Sequence, residues 1–260
     1  MSEREQQFIY RYMSYCEFLD ILRQERLTLK YPGKWPDNLE MLFLKQFDDH
    51  SKLDKLIKNY ASLYPVYSNY DVKNDLQILT VLLMKTRCQC WTYKEDDLIM
   101  WNERNSQETV RIGVAKSSFD KHDNSQCDGH LSHNDVNYVE KVSVESILKR
   151  FNDSGRKYTT FVLDKKDVYS YESEHRVILS PNDYFSNAQS YGNTMEEFLQ
   201  RHFYGVQSEF DRTDKYIPFD IKNITDIKVN PYATEQFENL VKQDCEQFGL
   251  TYSGISKILL

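Results

Sequence analysis

A chain of 260 residues that is 40% hydrophobic and 14% aromatic has enough apolar side chain to bury a sizeable core, which excludes a disordered polymer. Forty acidic residues against 33 basic ones give a net charge of −7, so the broad basic footprint that duplex nucleic acid demands is missing. Five scattered cysteines (Cys16, Cys88, Cys90, Cys127 and Cys245), a polar opening and no apolar run of membrane-spanning length set the expectation of a cytoplasmic protein with reduced thiols and no membrane contact.

The segment 8–13 is aromatic and β-branched, as a strand should be, and Ser14-x-x-Glu17 predicts a capping box at the start of a helix. Phe18, Leu19, Ile21 and Leu22 give that helix an apolar stripe ending near Arg26, and 27–31 is a second strand before a Pro/Gly turn cluster at 32–37. Residues 39–86 have helical periodicity and form an insertion. Strands are expected at 88–93, 109–114 and 138–144, with a polar loop from Asp120 to Asp135 and short helices at 144–151 and 195–199. The pattern 224–229 alternates like a half-buried strand. Residues 233–248 form an amphipathic helix with Phe237, Leu240, Val241 and Cys245 inward and Gly249 just past its end. Strands mixed with helices, without regular βαβ alternation, predict an α+β fold: one domain over 1–260 with a mixed or antiparallel sheet and the helical insertion at 39–86.

The stretch Tyr171 to Leu179 carries most of the chemical signal. Residues i, i+2 and i+4 of a strand share a face, so Glu172, Glu174 and Arg176 are expected to point together, with His175 opposite. Two carboxylates and a guanidinium on one face are costly unless paired, solvated or used. Asp164 to Asp167 is expected to be a solvated turn. Cys127, His130 and His133, with His122 upstream, are potential zinc ligands, but their spacing is no usual finger pattern and no metal is expected. Cys88 and Cys90 fall on one strand face. No Gly-rich phosphate motif occurs, which excludes the common nucleotide folds. A modest basic cluster (Arg23, Arg26, Lys30, Lys34) lies near Arg11 in sequence.

Several segments carry a resemblance: Ile9 to Ser14 with Phe18 to Leu22, Leu27-Thr28-Leu29 with Lys34-Trp35-x-Asp37, Cys90-Trp91-Thr92 with Met100-Trp101, Val110-Arg111-Ile112, Tyr171-Glu172-x-Glu174-x-Arg176, and Ile224 to Pro231 with Ser256 to Leu259. In these the chain resembles a bacterial domain-of-unknown-function family, number 2971, which includes AbiGi-type proteins of abortive-infection loci. The resemblance implies a phage-defence or toxin setting and a cognate antitoxin or defence-system partner. The chain also resembles ADP-ribosyltransferases of the R-S-E type, with Arg11 on the first strand and Glu172-Ser173-Glu174 opening a late one; Cys90-Trp91-Thr92 departs from their Ser-Thr-Ser strand and offers only Thr92. That likeness implies an ADP-ribosyltransferase-like fold with NAD as substrate. Glu174 would stabilise the cationic ribose and Glu172 would orient or deprotonate the acceptor. Arg11 would hold the pyrophosphate, Thr92 would supply the hydroxyl, and Tyr12, Trp91 or Trp101 would stack the nicotinamide. The alternatives are a non-catalytic sensor or partner-binding module, in which the glutamate strand is an ion-pair lattice, and a metal-dependent nuclease.

Overall fold

The computed structural model describes residues 7–32, 35, 85–102, 107–120, 127, 129–140, 162–181 and 213–258. The expected insertion at 39–86, apart from its last two residues, and the helices expected at 144–151 and 195–199 lie outside the described residues. The described elements are β1 (Phe8–Ser14), α1 (Tyr15–Gln24), β2 (Arg26–Leu29), β3 (Arg87–Thr92), α2 (Leu98–Asn102), β4 (Thr109–Ala115), β5 (His130–Asp135), β6 (Asn137–Val139), β7 (Asp164–Lys166), β8 (Glu174–Ser180), β9 (Lys215–Pro218), β10 (Ile224–Val229), α3 (Glu235–Gln247) and β11 (Gly254–Ile255). This is a mixed α+β architecture around a seven-stranded sheet ordered β11-β10-β4-β1-β3-β8-β5. Every pairing in that sheet is antiparallel except β10 with β11. Two small ribbons, antiparallel β2/β9 and parallel β6/β7, stand beside it.

The capping box forms as expected: the Ser14 side chain accepts from Glu17 N, and the Glu17 carboxylate accepts from Ser14 N. It starts α1 at the end of β1, and Glu25 in the left-handed region (φ 46°) stops the helix before β2. Phe18, Ile21 and Leu22 are buried, each worth roughly 1.5–3 kcal/mol over exposure. They meet Ile9 and Met13 of β1, Val110, Ile112 and Val114 of β4, and Phe237, Val241 and Cys245 of α3 in one core. Thr234 caps α3 and Gly249 (φ 68°) follows it. Leu240, expected inward, is 42% exposed, because the buried stripe runs 237, 241, 245.

Three local expectations are corrected. The polar stretch before Asp135 holds β5, which pairs with β8 from His175 to Ser180; its alternation is hidden by His and Asn side chains. The Asp164–Asp167 turn is instead β7, with Asp164 and Lys165 buried. The charged strand begins at Glu174, because Glu172 ends a 3-10 turn (Asp167–Glu172) and Ser173 adopts φ 46°. Glu172 therefore is not a member of the strand face that carries Glu174 and Arg176.

Candidate functional site

The register of the sheet decides which residues can act together. Tyr10 pairs with Thr92 and Thr92 with Glu174, while Cys90 pairs with Arg176. Cross-strand partners share a face. One face therefore carries Tyr10, Tyr12, Cys90, Thr92, Glu174 and Arg176, with Arg111 joining from β4 opposite Tyr12. Arg11, Trp91 and His175 fall on the other face, with the apolar core. Arg11 and Glu174, expected to line one pocket, are thus parted by the thickness of the sheet.

Glu174 is 4% exposed at the first position of β8. Arg176 forks onto it, Nε donating to Oε1 at 2.6 Å and Nη2 to Oε2 at 2.9 Å. Lys165 donates to the same carboxylate at 3.1 Å and to Glu172 at 2.7 Å, so one ammonium bridges both glutamates. The Cys90 thiol also bonds it. Burial alone would raise the Glu174 pKa, but the Arg176 charge and hydrogen bonds, with Lys165, bring it down to about 2. Arg176 lies 4.7 Å from the Trp35 ring and donates to Val162 O. A carboxylate whose pKa is depressed on folding stabilises the fold fully above its unfolded value near 4.5, and that contribution fades as pH falls towards 2. Acid unfolding is accordingly expected to show a loss of a few kcal/mol over that window, absent in a Glu174→Gln variant; urea titrations between pH 5 and 2 read it.

Thr92 is 2% exposed; its hydroxyl donates to Glu172 O at 2.5 Å and accepts from Lys94 N at 3.0 Å. It holds the turn that delivers Glu174. Tyr12 donates to the Lys94 and Glu95 carbonyls, and burial lifts its pKa above the phenolic range. Trp101, fully buried on α2, meets Tyr12 edge-on at 4.7 Å and donates to Ser256 Oγ. Trp91 is 2% exposed, donates to Gln89 and packs against Phe119. None of the three aromatics presents an open ring face for a nicotinamide; each is buried in packing contacts.

Arg11 does reach a cavity, of about 270 Å³, on the core-facing side. Its Nη1 donates to Cys90 O at 2.8 Å, and Nη2 lies 3.8 Å from Glu17. Lys30, Asp20, Gln89 and Asp214 complete the polar wall. The volume falls just short of the roughly 300–1,000 Å³ usual for small-molecule sites.

Two partners were hidden from the sequence. Lys165 looked like a turn residue, and only its burial beside β8 makes it the cation of the glutamate pair. His133 and His175 join in a row with Asp120 and Asp135 across β5 and β8, which needed the pairing of two strands, one of them unforeseen. Among the described residues no group of three or more His, Cys, Asp or Glu is placed to hold a metal ion. No helix among them is long and apolar enough to cross a membrane.

No family model matches the chain, and no curated protein does. Among solved structures it is similar to Thermus sp. 2.9 DarT in complex with ADP-ribosylated ssDNA, at 9% identity and a TM-score of 0.38 over 99% of this chain and 97% of that one.

Proposed function

We propose that this chain is an ADP-ribosyltransferase-like enzyme that uses NAD, with Glu174 as its reacting carboxylate, serving as a toxin or defence effector beside a cognate partner. The observation that supports the reading is the register of Thr92 directly opposite Glu174 on adjacent strands, a hydroxyl residue paired with an acidic one. The acid is already ionised, as the chemistry requires. Breaking the nicotinamide–ribose bond sends the electron pair to a pyridinium nitrogen, so the leaving group departs neutral without a general acid. The carboxylate then faces an oxocarbenium-like carbon. The new bond forms at that carbon, and the acceptor's proton passes to Glu172. Lys165 is the displaceable partner: an ammonium is a single flexible contact, whereas the Arg176 fork is fixed. Arg11, across the sheet, takes no part, and the positive charge beside the acid comes from Arg176 and Lys165.

A second reading rests on the near-complete enclosure of Glu174, held by Arg176, Lys165 and Cys90. In it the glutamates and cations are an internal lattice of a non-catalytic partner-binding module. Incubation with NAD separates the two. The enzyme reading expects free nicotinamide from the wild-type chain and a drop of at least about 100-fold in Glu174→Gln. The lattice reading expects no nicotinamide from either, and a variant altered only in stability.

A further inference from the structure

Asp120, His133, His175 and Asp135 stand in an unbroken row on the core-facing side of the sheet edge. Asp120 Oδ1 lies 2.8 Å from His133 Nε2, His133 Nδ1 lies 3.0 Å from His175 Nε2, and His175 Nδ1 lies 2.6 Å from Asp135 Oδ1. The proton count follows from donor chemistry. A carboxylate only accepts, so each end of the row needs an N–H on the ring beside it. The inner contact between two ring nitrogens needs one proton and has no room for two. Three protons must therefore lie on four nitrogens, whereas two neutral imidazoles carry only two. The pair holds one extra proton and a single positive charge between two carboxylates whose outer edges meet solvent (57% and 60% side-chain exposure).

The surroundings place that charge. The His175 side chain is fully buried whereas that of His133 is 14% exposed, so the single charge sits on the ring that water reaches, and the inner ring stays neutral. Among the described residues, the other charged or titratable groups facing the row are Tyr93 from the end of β3 and Lys116 from the turn after β4. Tyr93 donates to Asp135 at 2.5 Å and its oxygen is 3.4 Å from His175 Nδ1; Lys116 donates to Tyr93 and Asp135. With His175 they hold Asp135 below the usual carboxylate range.

We propose that His133 and His175 form a single-proton latch that ties Asp120, at the end of the 3-10 turn Lys116–Phe119, to the edge of the sheet. Only the singly charged pair satisfies all three contacts. Losing the proton leaves two lone pairs facing each other at one contact in the row; gaining a second sets two N–H groups against each other at its centre. The start of the turn is anchored separately, by Lys116, whose amide bonds Gln7 O and whose ammonium bonds Asp135, while Phe119 beside Asp120 packs on Trp91, Phe219 and His133, so the proton governs the Asp120 end.

Nitrogen-15 spectra of the imidazole rings count the protons directly in the whole chain. At pH 6.5 we expect three protonated ring nitrogens on the two histidines and a bare His175 Nε2, with His133→Gln identifying the signals. Two or four protonated nitrogens would overturn the count. Amide exchange at Lys116 to Asp120, corrected for intrinsic rates, is then followed as the same ring signals report loss of the proton. Faster exchange at Asp120, while Lys116 stays protected, supports the latch; unchanged protection through that titration refutes it.

Discussion

Glu174→Gln is expected to lower the stability of the folded chain by about 3–5 kcal/mol, read as a shift in the urea midpoint at pH 7. The size follows from what remains. Arg176 is 1% exposed and Lys165 is 6% exposed, and the neutral amide leaves their charges facing each other without the anion that now sits between them. Replacing the acid, arginine and lysine together by apolar residues of similar volume is expected to cost far less, since the burial penalty of the charges goes with them. A variant that loses less than about 1 kcal/mol would show that solvent reaches the cluster and that the carboxylate is not enclosed.

The second large effect is expected at Arg111. It is fully buried on the same face and holds four groups from three parts of the chain: the Glu95 carbonyl, the Asp96 and Asp226 carboxylates, and the Tyr10 ring 4.6 Å away. Asp96 also accepts from Ser256, which in turn accepts from Trp101. Arg111→Met keeps the volume and removes the donors, leaving two partly exposed carboxylates to repel one another. A loss of about 3–4 kcal/mol is expected. A double-mutant cycle of Arg111→Met with Asp226→Asn locates the energy: coupling above about 1 kcal/mol assigns it to the ion pair, and additivity assigns it to packing.

Legibility in the sequence tracked how local the causes were. The capping box, the α1 stripe and the Thr234-to-Gly249 helix depend on contacts within a few residues, and each forms. The start of β8 was misplaced by two residues because Ser173 takes a left-handed conformation, which nothing in its identity announces. That shift removed Glu172 from the strand face. The faces of Arg11 and Glu174 were illegible for a different reason: alternation along one strand is visible, but relative parity between strands is set by register. Tyr10, not Arg11, stands opposite Thr92. Lys165 and the histidine row likewise came from pairings of β7 and β5, strands built largely of polar residues that periodicity had assigned to turns and loops.

Nicotinamide release from NAD, measured on the wild-type chain, Glu174→Gln and Arg11→Met under conditions where unfolding curves show all three to be folded, tests the account most directly. Turnover by the wild type that survives in Arg11→Met and vanishes in Glu174→Gln is the predicted result, because the acid and the first-strand arginine lie on opposite faces of the sheet. Equal turnover with and without the Glu174 carboxylate, or none from the wild type, would contradict it.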